Sequence, residues 1–515
     1  MRRRLRLAGM LVGVLVAAAC ASPATPAGSP PSSTSTAPSG PVGDGGPTDG
    51  SGAAAPGGTA TDATVPASGP AVTVEPVSWR PCGSGVECAT LLVPLDHDRP
   101  DDGRTVELAL ARKPATEPEQ RIGPLVLNPG GPGASGIEFL RGFSAADLGR
   151  RFDLVSWDPR GVGASSPLGC DGPTADRFRH VDSDPDSAAE QAQLDDAAAA
   201  VADACAASAG DLLAHLTTAD TARDLDLIRQ ALGEEQLSYL GFSYGTDIGQ
   251  RYAERFGDRV RAMVLDGVVD PSQDLAELLA GQTDGIQRSL DRIFDDCEAS
   301  ASCPLTDPRG TYDRVAARVE RDPLPAGGAG SVGPSELALA AISSSYVPSY
   351  GPRLLSALAQ ADQASGTGLA TLASAYTSSG SLGAYLGVFC TDGPHPDLDG
   401  FRDLAARLEQ RSALVGAAAA NELLPCASWP VPGGSPRSLV RAEAAPPILV
   451  VGNTGDAATP YDNAVRVAAG LADGHLLTYA GEGHTSFNQS RCVRDAVVDY
   501  LTELAVPPDG TTCRS

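Results

Sequence analysis

The sequence predicts an α/β protein built around a mostly parallel β-sheet that helices cover on both faces. Two observations carry this prediction. From about residue 72 onward, short apolar segments bounded by Gly, Pro or Asp alternate with amphipathic helical segments. The predicted strands are apolar throughout, which is typical of a sheet buried between two helical layers. The chain has 515 residues, of which 42% are hydrophobic, so it can bury a large core.

Charge and hydropathy exclude several classes of function. The formal net charge is −26, from 38 basic and 64 acidic residues. Such an acidic chain is repelled by nucleic acid and by anionic membrane surfaces, so neither is a predicted partner. After the first twenty residues, no apolar run reaches the roughly 18–20 residues that span a bilayer. Membrane association is therefore expected only through a lipid anchor.

Residues 1–20 form a predicted export signal. A head with four arginines precedes the apolar stretch Leu7–Ala19, which is too short for a stable membrane span. The stretch ends in Val16-Ala17-Ala18-Ala19-Cys20, which resembles a bacterial lipobox whose cysteine is acylated. The alternative is an ordinary signal peptide. We therefore expect an exported protein, lipid-anchored through Cys20 on the outer face of the cell membrane, or otherwise secreted.

Residues 21–71 form a predicted disordered tether. Ala, Ser, Thr, Pro and Gly dominate this segment, and it contains no aromatic residue. A segment of this composition cannot bury enough apolar surface to offset its ordering entropy. A tether directly after Cys20 would hold a globular domain away from the membrane.

The globular part begins near residue 72, and its pattern divides it into three stretches. Residues 72–271 and 442–515 carry the strand–helix alternation, whereas residues 272–441 have a helical pattern and form a predicted cap. Strands are predicted at Glu87–Pro94, Val106–Ala111, Pro124–Leu127, Phe152–Trp157, Leu237–Gly241, Val260–Leu265, Ile448–Val451 and Leu476–Tyr479. Helices are predicted at Thr221–Leu232, Thr246–Phe256, Tyr461–Leu471 and Val493–Leu504.

The globular part contains ten cysteines. An even number in an exported chain favours disulfides over metal sites, and no pair has zinc-finger spacing. The spacings suggest sequential pairs, namely Cys82–Cys88, Cys170–Cys205, Cys297–Cys303, Cys390–Cys426 and Cys492–Cys513.

A candidate nucleophile lies in Gly241-Phe242-Ser243-Tyr244-Gly245. A G-x-S-x-G match is weak by itself, but this one follows a predicted strand and opens a predicted helix. In that position, the glycines permit a tight turn that projects the serine hydroxyl above the edge of the sheet. The alternative is a glycine-rich turn without chemistry.

A serine needs a base to remove its proton, and the base needs an acid to hold its tautomer. Of the six histidines, His484 lies in a loop of small residues after a predicted strand, just before the final helix. Asp456 follows the strand Ile448–Val451, at the edge where α/β sheets build their sites. The chain order Ser, Asp, His is the order of an α/β-hydrolase triad. For Asp456, the alternative is a loop-capping role.

A glycine-rich loop, Asn128–Gly136, supplies a candidate oxyanion hole. Glycines let the backbone approach a substrate and direct N–H groups at developing negative charge. Pro132 has no N–H, so Gly131 is the expected donor from this loop, with the Tyr244 N–H as the second. The loop lacks the lysine of a phosphate-binding loop.

These motifs, in this order, resemble those of the secreted tripeptidyl aminopeptidases of the α/β-hydrolase superfamily, relatives of the proline iminopeptidases. The resemblance covers residues 72–513. It is carried by Asn128–Gly136, Trp157–Gly163, Gly241–Gly245, Asp456–Pro460 and Gly483-His484, and by Phe389–Asp392 and Cys426–Pro430 in the cap. It implies an α/β-hydrolase fold and an exopeptidase that releases short peptides, typically tripeptides, by a Ser-His-Asp acyl-enzyme mechanism without a metal or cofactor.

Spacing independently supports a cap. The chain between Ser243 and Asp456 is far longer than the roughly 60–80 residues that two βα units need. The surplus matches residues 272–441, between the nucleophile and the acid. The sequence leaves two other functions open: an exported carboxylesterase or lipase with the same triad, and a catalytically silent binding lipoprotein.

An exopeptidase must also recognise a free α-ammonium group, which requires a fixed carboxylate. Asp392, beside Cys390 in the predicted cap, is the first candidate. Glu138, just after the oxyanion loop, and Glu422, near Cys426, are the other two. A solvated or helix-capping role is the alternative for each. Peptides are the predicted partners.

Replacing Cys20 with Ala is expected to release the protein into the medium or to block its processing, because the lipid attachment site is lost. Stable anchoring requires more than one acyl chain, because a protein with a single acyl chain binds the membrane only marginally. Fractionation of cells and medium measures the effect. Unchanged membrane fractionation of Cys20→Ala would exclude the lipid anchor.

Overall fold

The computed structural model describes residues 74–514. The predicted export signal with Cys20 and the predicted tether lie outside the described residues. The strands are β1 (Arg80–Pro81), β2 (Glu87–Pro94), β3 (Thr105–Lys113), β4 (Gly123–Asn128), β5 (Phe152–Trp157), β6 (Leu237–Phe242), β7 (Val260–Asp266), β8 (Leu324–Pro325), β9 (Ser331–Val332), β10 (Ile448–Gly455), β11 (Gly474–Glu482) and β12 (Thr512–Arg514).

Helices follow most strands and fill the stretch between β7 and β10. They are α1 (Gly136–Gly142), α2 (Ala146–Arg151), α3 (Pro173–His180), α4 (Ala188–Ala209), α5 (Thr218–Ala231), α6 (Tyr244–Phe256), α7 (Leu275–Ala299), α8 (Pro308–Val319), α9 (Pro334–Tyr346), α10 (Gly351–Asp362), α11 (Thr367–Thr377), α12 (Leu382–Asp392), α13 (Leu398–Glu409), α14 (Gly416–Asn421), α15 (Tyr461–Gly470) and α16 (Arg491–Glu503).

The central sheet has ten strands in the order β1-β2-β3-β5-β4-β6-β7-β10-β11-β12. The pairs β1–β2, β2–β3 and β3–β5 are antiparallel, and all pairs from β5 to β12 are parallel. Parallel strands need helical crossovers, which is why helices separate them along the chain. The predicted fold class, an α/β-hydrolase fold, is confirmed.

Both faces of the sheet are buried, as the apolar strands predict. Every residue of β4, β5 and β6 is buried. Neighbouring residues of β6 point to opposite faces, so Tyr239 packs with helices α5, α6 and α15, whereas Leu240 packs with α1, α2 and α16. The two helical layers fix the sheet. The sheet in turn holds the loops at the carboxyl ends of its parallel strands in place.

Residues 272–441, the cap segment, contain helices α7–α14 and the short antiparallel pair β8–β9. Part of the segment has its own core, which includes Phe294, Tyr312 and Leu354. A second core joins Phe401 of α13 to Phe178 of α3 and to residues of α4. Helices α3 and α4, which precede the nucleophile in the chain, therefore pack with the cap segment, an association that the sequence analysis did not predict.

Helix α4 is the one described helix that is long and apolar enough, by length and composition, to cross a membrane. Its apolar side lies in a protein core instead: Leu194, Val201 and Cys205 are buried. Cys205 is also bonded to Cys170. The structure therefore accounts for the apolar composition of α4 by packing within the globular part.

Five disulfides link the ten cysteines of the described residues in the sequential pairs that the spacings suggest. They join Cys82 to Cys88, Cys170 to Cys205, Cys297 to Cys303, Cys390 to Cys426 and Cys492 to Cys513. The pairs with the widest separations, 35 and 36 residues, both lie in the core that α3 and α4 share with the cap segment.

Removing the disulfide that closes the longer loop is expected to cost more stability. Loop-closure entropy predicts losses of about 4 kcal/mol for Cys390–Cys426, separated by 36 residues, and about 2 kcal/mol for Cys297–Cys303, separated by 6. Urea unfolding of the two double Cys→Ser variants measures the free energies. Equal losses would contradict the expectation, as would any thiol titrated from these ten cysteines in denatured, unreduced protein.

Candidate active site

Ser243 occupies a strained turn between β6 and α6. Its backbone has φ 54° and ψ −125°, in the left-handed region that a residue with a side chain rarely adopts. The turn is held on both sides, since the Ser243 N–H donates to the Asp266 carbonyl at 3.0 Å and the Ser243 carbonyl accepts from the Thr246 N–H at 2.8 Å. The side chain is half-buried. This is the geometry of a nucleophile elbow, in which the turn lifts the hydroxyl above the sheet.

Asp456 and His484 form a hydrogen-bonded pair at the same edge of the sheet. His484 Nδ1 lies 2.9 Å from Asp456 Oδ1 and 3.0 Å from Oδ2. Backbone N–H groups hold the carboxylate: Ala458 and Thr459 donate to Oδ1 and Thr485 donates to Oδ2, at 2.8–3.2 Å. The side chain of Asp456 therefore both caps its own loop, which was the alternative role, and pairs with His484.

The surroundings of His484 favour its protonated form. Burial lowers the pKa of His484, but the charge of Asp456, the hydrogen bond to it and the charge of Asp266 together raise the pKa above its ordinary value. The Nδ1 atom faces Asp456, so Nε2 is left to face a substrate or a nucleophile. The arrangement can accept a proton at Nε2 and stabilise the resulting imidazolium, which is the task of a general base.

The glycine-rich loop after β4 lies against the elbow. A Cβ atom at Gly130 would come within 2.8 Å of the Tyr244 nitrogen and 2.9 Å of the Ser243 Cβ, so only glycine permits this approach. The next residue, Gly131, also has a positive φ of 110°. The structure therefore brings together the two loops that carry the predicted oxyanion donors, Gly131 and Tyr244.

The cap segment touches all three loops of the site. The Ser381 N–H donates to the Gly133 carbonyl of the glycine-rich loop at 3.0 Å. Gln282 Nε2 donates to the Ala458 carbonyl of the acid loop at 3.0 Å. The His484 N–H donates to the Tyr346 carbonyl at the end of α9, at 2.8 Å. These contacts place cap residues directly beside the reacting groups.

Two of the three predicted carboxylate anchors already have cationic partners. Glu138 is exposed on α1, with 67% of its side chain accessible, and pairs with Arg141 three residues later. Asp392 is 11% exposed, accepts hydrogen bonds from both Thr218 N and Thr218 Oγ1, and lies 3.4 Å from Arg437. Arg437 also pairs with Asp247 of α6 at 2.6 Å. The charge of Asp392 is thus compensated within the protein.

Glu422 differs from the other two. Among residues 74–514, no Lys, Arg or His nitrogen lies within 4.0 Å of its carboxylate, which instead accepts hydrogen bonds from the hydroxyls of Tyr376 at 3.1 Å and Tyr385 at 3.4 Å. Burial raises the pKa of Glu422, and the hydrogen bonds from the two phenols and the more distant charge of Arg179 lower it in part. A line of aromatic contacts leads from here to the base, because the ring of Tyr346 lies 6.2 Å from that of Tyr376 and 5.7 Å from that of His484.

Sequence reasoning missed several residues of the site. Asp266 ends β7 beneath the loops of Ser243 and His484, and Tyr346 contacts His484 from the cap segment. The signal for Asp266 was available, because an acid directly after an apolar strand is at the functional edge of a parallel sheet. The contact of Tyr346 crosses 138 sequence positions, and no local pattern indicates it.

The chain matches a family model and is similar in sequence to several known proteins. A family model described as TAP-like protein matches residues 412–513. The serine protease Hip1 of Mycobacterium tuberculosis is 36% identical over 477 residues, which cover 85% of this chain and 91% of that protein. The tripeptidyl aminopeptidase of Streptomyces coelicolor is 32% identical over 473 residues, 85% of this chain and 86% of that protein.

A third relative has a different name. Carboxylesterase B of Mycobacterium tuberculosis is 35% identical over 471 residues, which cover 85% of this chain and 89% of that protein. All three relatives are similar to this chain over most of its length, including the cap segment. Similarity of this extent indicates that the proteins share hydrolytic chemistry. It does not distinguish amide substrates from ester substrates.

Replacing Asp456 with Asn is expected to lower kcat on the order of 10⁴-fold, because an amide no longer holds the required tautomer of His484. Loss of the carboxylate charge also lowers the pKa of His484, so the acid limb of kcat/KM should move to lower pH. A pH series with a short acyl ester measures both effects.

Asp462→Asn, an exposed acid on the neighbouring helix α15, is the matched control and should behave as the parent protein. Ser243→Ala provides the background rate. Parental kcat in a folded Asp456→Asn variant would show that this acid does not support the base.

Proposed function

The chain belongs to the TAP-like family of α/β-hydrolases and is a serine hydrolase, and we propose that it is an exported exopeptidase that releases tripeptides from free N-termini. The observation that carries the catalytic part is the paired Asp456 and His484 beside the strained turn of Ser243. The exopeptidase part is supported by Glu422 in the cap segment, whose carboxylate has no ion-pair partner within 4.0 Å among residues 74–514 and accepts hydrogen bonds from two tyrosines.

In the proposed mechanism, Ser243 Oγ attacks the carbonyl carbon of the scissile bond while His484 Nε2 takes its proton. His484 then returns the proton to the leaving amine, and an acyl-enzyme remains. Water, activated by the same histidine, releases the acyl product. Asp456 holds the histidine and stabilises its charged form. The N–H groups of Gly131 and Tyr244 stabilise the oxyanion, each by a few kcal/mol.

Glu422 is the proposed partner of the substrate's α-ammonium group. A desolvated carboxylate without an ion-pair partner is costly, and a substrate cation that enters the site offsets part of this cost. Selectivity follows, because an acylated N-terminus would leave the carboxylate buried and unpaired. Asp392, the first candidate from the sequence, is less suited because Arg437 and Thr218 already satisfy it. Its contacts favour a role in holding α12 against the elbow helix α6.

Export and lipid anchoring remain part of the proposal. Five disulfides in the described residues are typical of an oxidising compartment outside the cytosol. The basic head, the short apolar stretch and Cys20 support an anchor on the outer face of the membrane, with secretion as the alternative.

An exported carboxylesterase is the second candidate function. The observation that favours it is the relative named Carboxylesterase B, which is as similar to this chain as the two peptidases. Esters and amides react through the same triad and oxyanion hole, so the catalytic residues do not separate the two functions. The group that recognises the substrate's N-terminus does separate them.

The test compares peptides that have free or acetylated N-termini with short acyl esters, and mass spectrometry reads the products of a peptide library. Free peptides are expected to lose tripeptides, and acetylated ones to resist cleavage. Glu422→Gln should lower kcat/KM for free peptides roughly 30-fold or more, equivalent to about 2 kcal/mol for the loss of one partner of a buried charge pair.

Glu138→Gln is the matched control, because that carboxylate is exposed and paired with Arg141. It should leave kcat/KM unchanged. Equal cleavage of acetylated and free peptides would overturn the exopeptidase proposal. Rapid turnover of esters without any peptide cleavage would favour the carboxylesterase instead.

A further inference from the structure

Asp266, the last residue of β7, joins the loops of the candidate nucleophile and the candidate base. Its backbone carbonyl accepts from the Ser243 N–H at 3.0 Å. Its carboxylate accepts from the Ser486 N–H at 3.0 Å to both oxygens and from the Phe487 N–H at 2.8 Å. Ser486 and Phe487 directly follow His484 and Thr485. One residue thus binds the two chain segments whose relative position decides whether a proton can pass between them.

The carboxylate of Asp266 is in an unusual environment. The residue is 1% exposed, and within residues 74–514 no Lys, Arg or His nitrogen lies within 4.0 Å of its oxygens. The pKa of Asp266 is raised to about 6, chiefly by burial. The charge of Asp456 also raises it, and the N–H groups of Phe487 and Ser486 and the charge of His484 oppose the rise. A buried acid without a cationic partner is costly to retain for packing alone.

We propose that Asp266 is a positioning residue, which fixes the loop of His484 against the strand end that also holds the backbone of Ser243. The proposal rests on the proposed roles of Ser243 and His484. A carboxylate suits this position because it only accepts hydrogen bonds, and three contacts from two adjacent N–H groups are directed at it. An amide would place its own N–H₂ group against one of those donors.

The charge of Asp266 contributes a second effect. It acts in the same direction as Asp456, since both raise the pKa of His484 and favour its protonated state during the reaction. The titratable groups that face Asp266 are Asp456, from the loop after β10, and His484, from the loop after β11. Ionised Asp266 therefore supports the imidazolium, and protonation of Asp266 at acid pH removes that support.

Asp270 provides a matched control on the same chain segment. It is also buried, with 1% exposure, but its carboxylate pairs with Arg466 at 2.6 Å and accepts from Ser272. Neither partner belongs to the loop of His484. Asp266→Asn and Asp270→Asn both remove a buried charge, and only the first removes contacts to the base loop.

The experiment measures kcat, KM and their pH dependence for the full-length protein with a short acyl ester, together with labelling of Ser243 by a fluorophosphonate. Asp266→Asn is expected to lower kcat on the order of 10- to 100-fold, as displaced reacting groups do, with little change in KM. The acid limb of kcat/KM should also move to lower pH. Asp270→Asn should keep the parental kcat and acid limb even where its melting temperature falls.

The proposal is overturned if folded Asp266→Asn has the same kcat and the same acid limb as the parent protein. It is also overturned if Asp266→Asn and Asp270→Asn change both quantities equally. If Asp266→Asn does not fold, amide hydrogen exchange in the unaltered protein tests the proposal instead. The Ser486 and Phe487 amides should be protected at pH 7 and lose protection toward pH 5, relative to helical amides of α16. If these two amides do not lose protection at the lower pH, the proposal is overturned. Labelling that persists in Ser243→Ala would instead refute the proposed nucleophile, a separate result.

Discussion

The parallel pairing of β6, β7 and β10 is the constraint on which the candidate site depends. Parallel strands end at the same edge, so the loop after β6, the end of β7 and the loop after β10 bring Ser243, Asp266 and Asp456 together. The register joins Phe242 to Asp266 and Asp266 to Val451 across the three strands. A shift of one residue in this register would turn the acid of β7 to the other face of the sheet.

The cap segment contacts the loops that the sheet positions at its edge. It reaches the glycine-rich loop through Ser381, the acid loop through Gln282 and the base loop through Tyr346. These contacts are local hydrogen bonds to main-chain groups, and the disulfide Cys390–Cys426 restrains α12 nearby. The surface that a substrate meets is therefore shaped by residues that lie far in sequence from the reacting groups.

Carboxylates in and around the site fall into three physical situations. Asp392 is neutralised by Arg437, so it contributes to structure. Asp456 and Asp266 accept hydrogen bonds from backbone N–H groups, and the charges of both raise the pKa of His484, the proposed base. The hydrogen-bond partners of Glu422 within the described residues are phenol hydroxyls, and the charge of Arg179 acts on it only from beyond ion-pair distance. Asp266 and Asp456 are buried, and Asp392 and Glu422 are half-buried, so the four carboxylates differ in their partners more than in their class of residue.

Strands β2–β7, β10 and β11, helices α5, α6, α15 and α16, the turn that carries Ser243 and the loops that carry Asp456 and His484 could be predicted from the sequence. These features depend on local patterns: apolar segments, glycines at tight turns and acids or histidines directly after strands. The antiparallel pairing of the edge strands and the packing of α3 and α4 with the cap segment could not, because they depend on contacts between distant segments.

The sequence by itself therefore determined the fold class and the candidate reacting groups, since periodicity and turn chemistry are encoded within a few residues. Only the tertiary structure showed how Asp392, Glu138 and Glu422 differ, because it alone shows which carboxylate has an ion-pair partner. It also revealed the place of Asp266 between two loops that are more than 200 residues apart in sequence. The physical reason is the same in both cases: the energy of a buried charge depends on its neighbours in space, which a linear pattern does not contain.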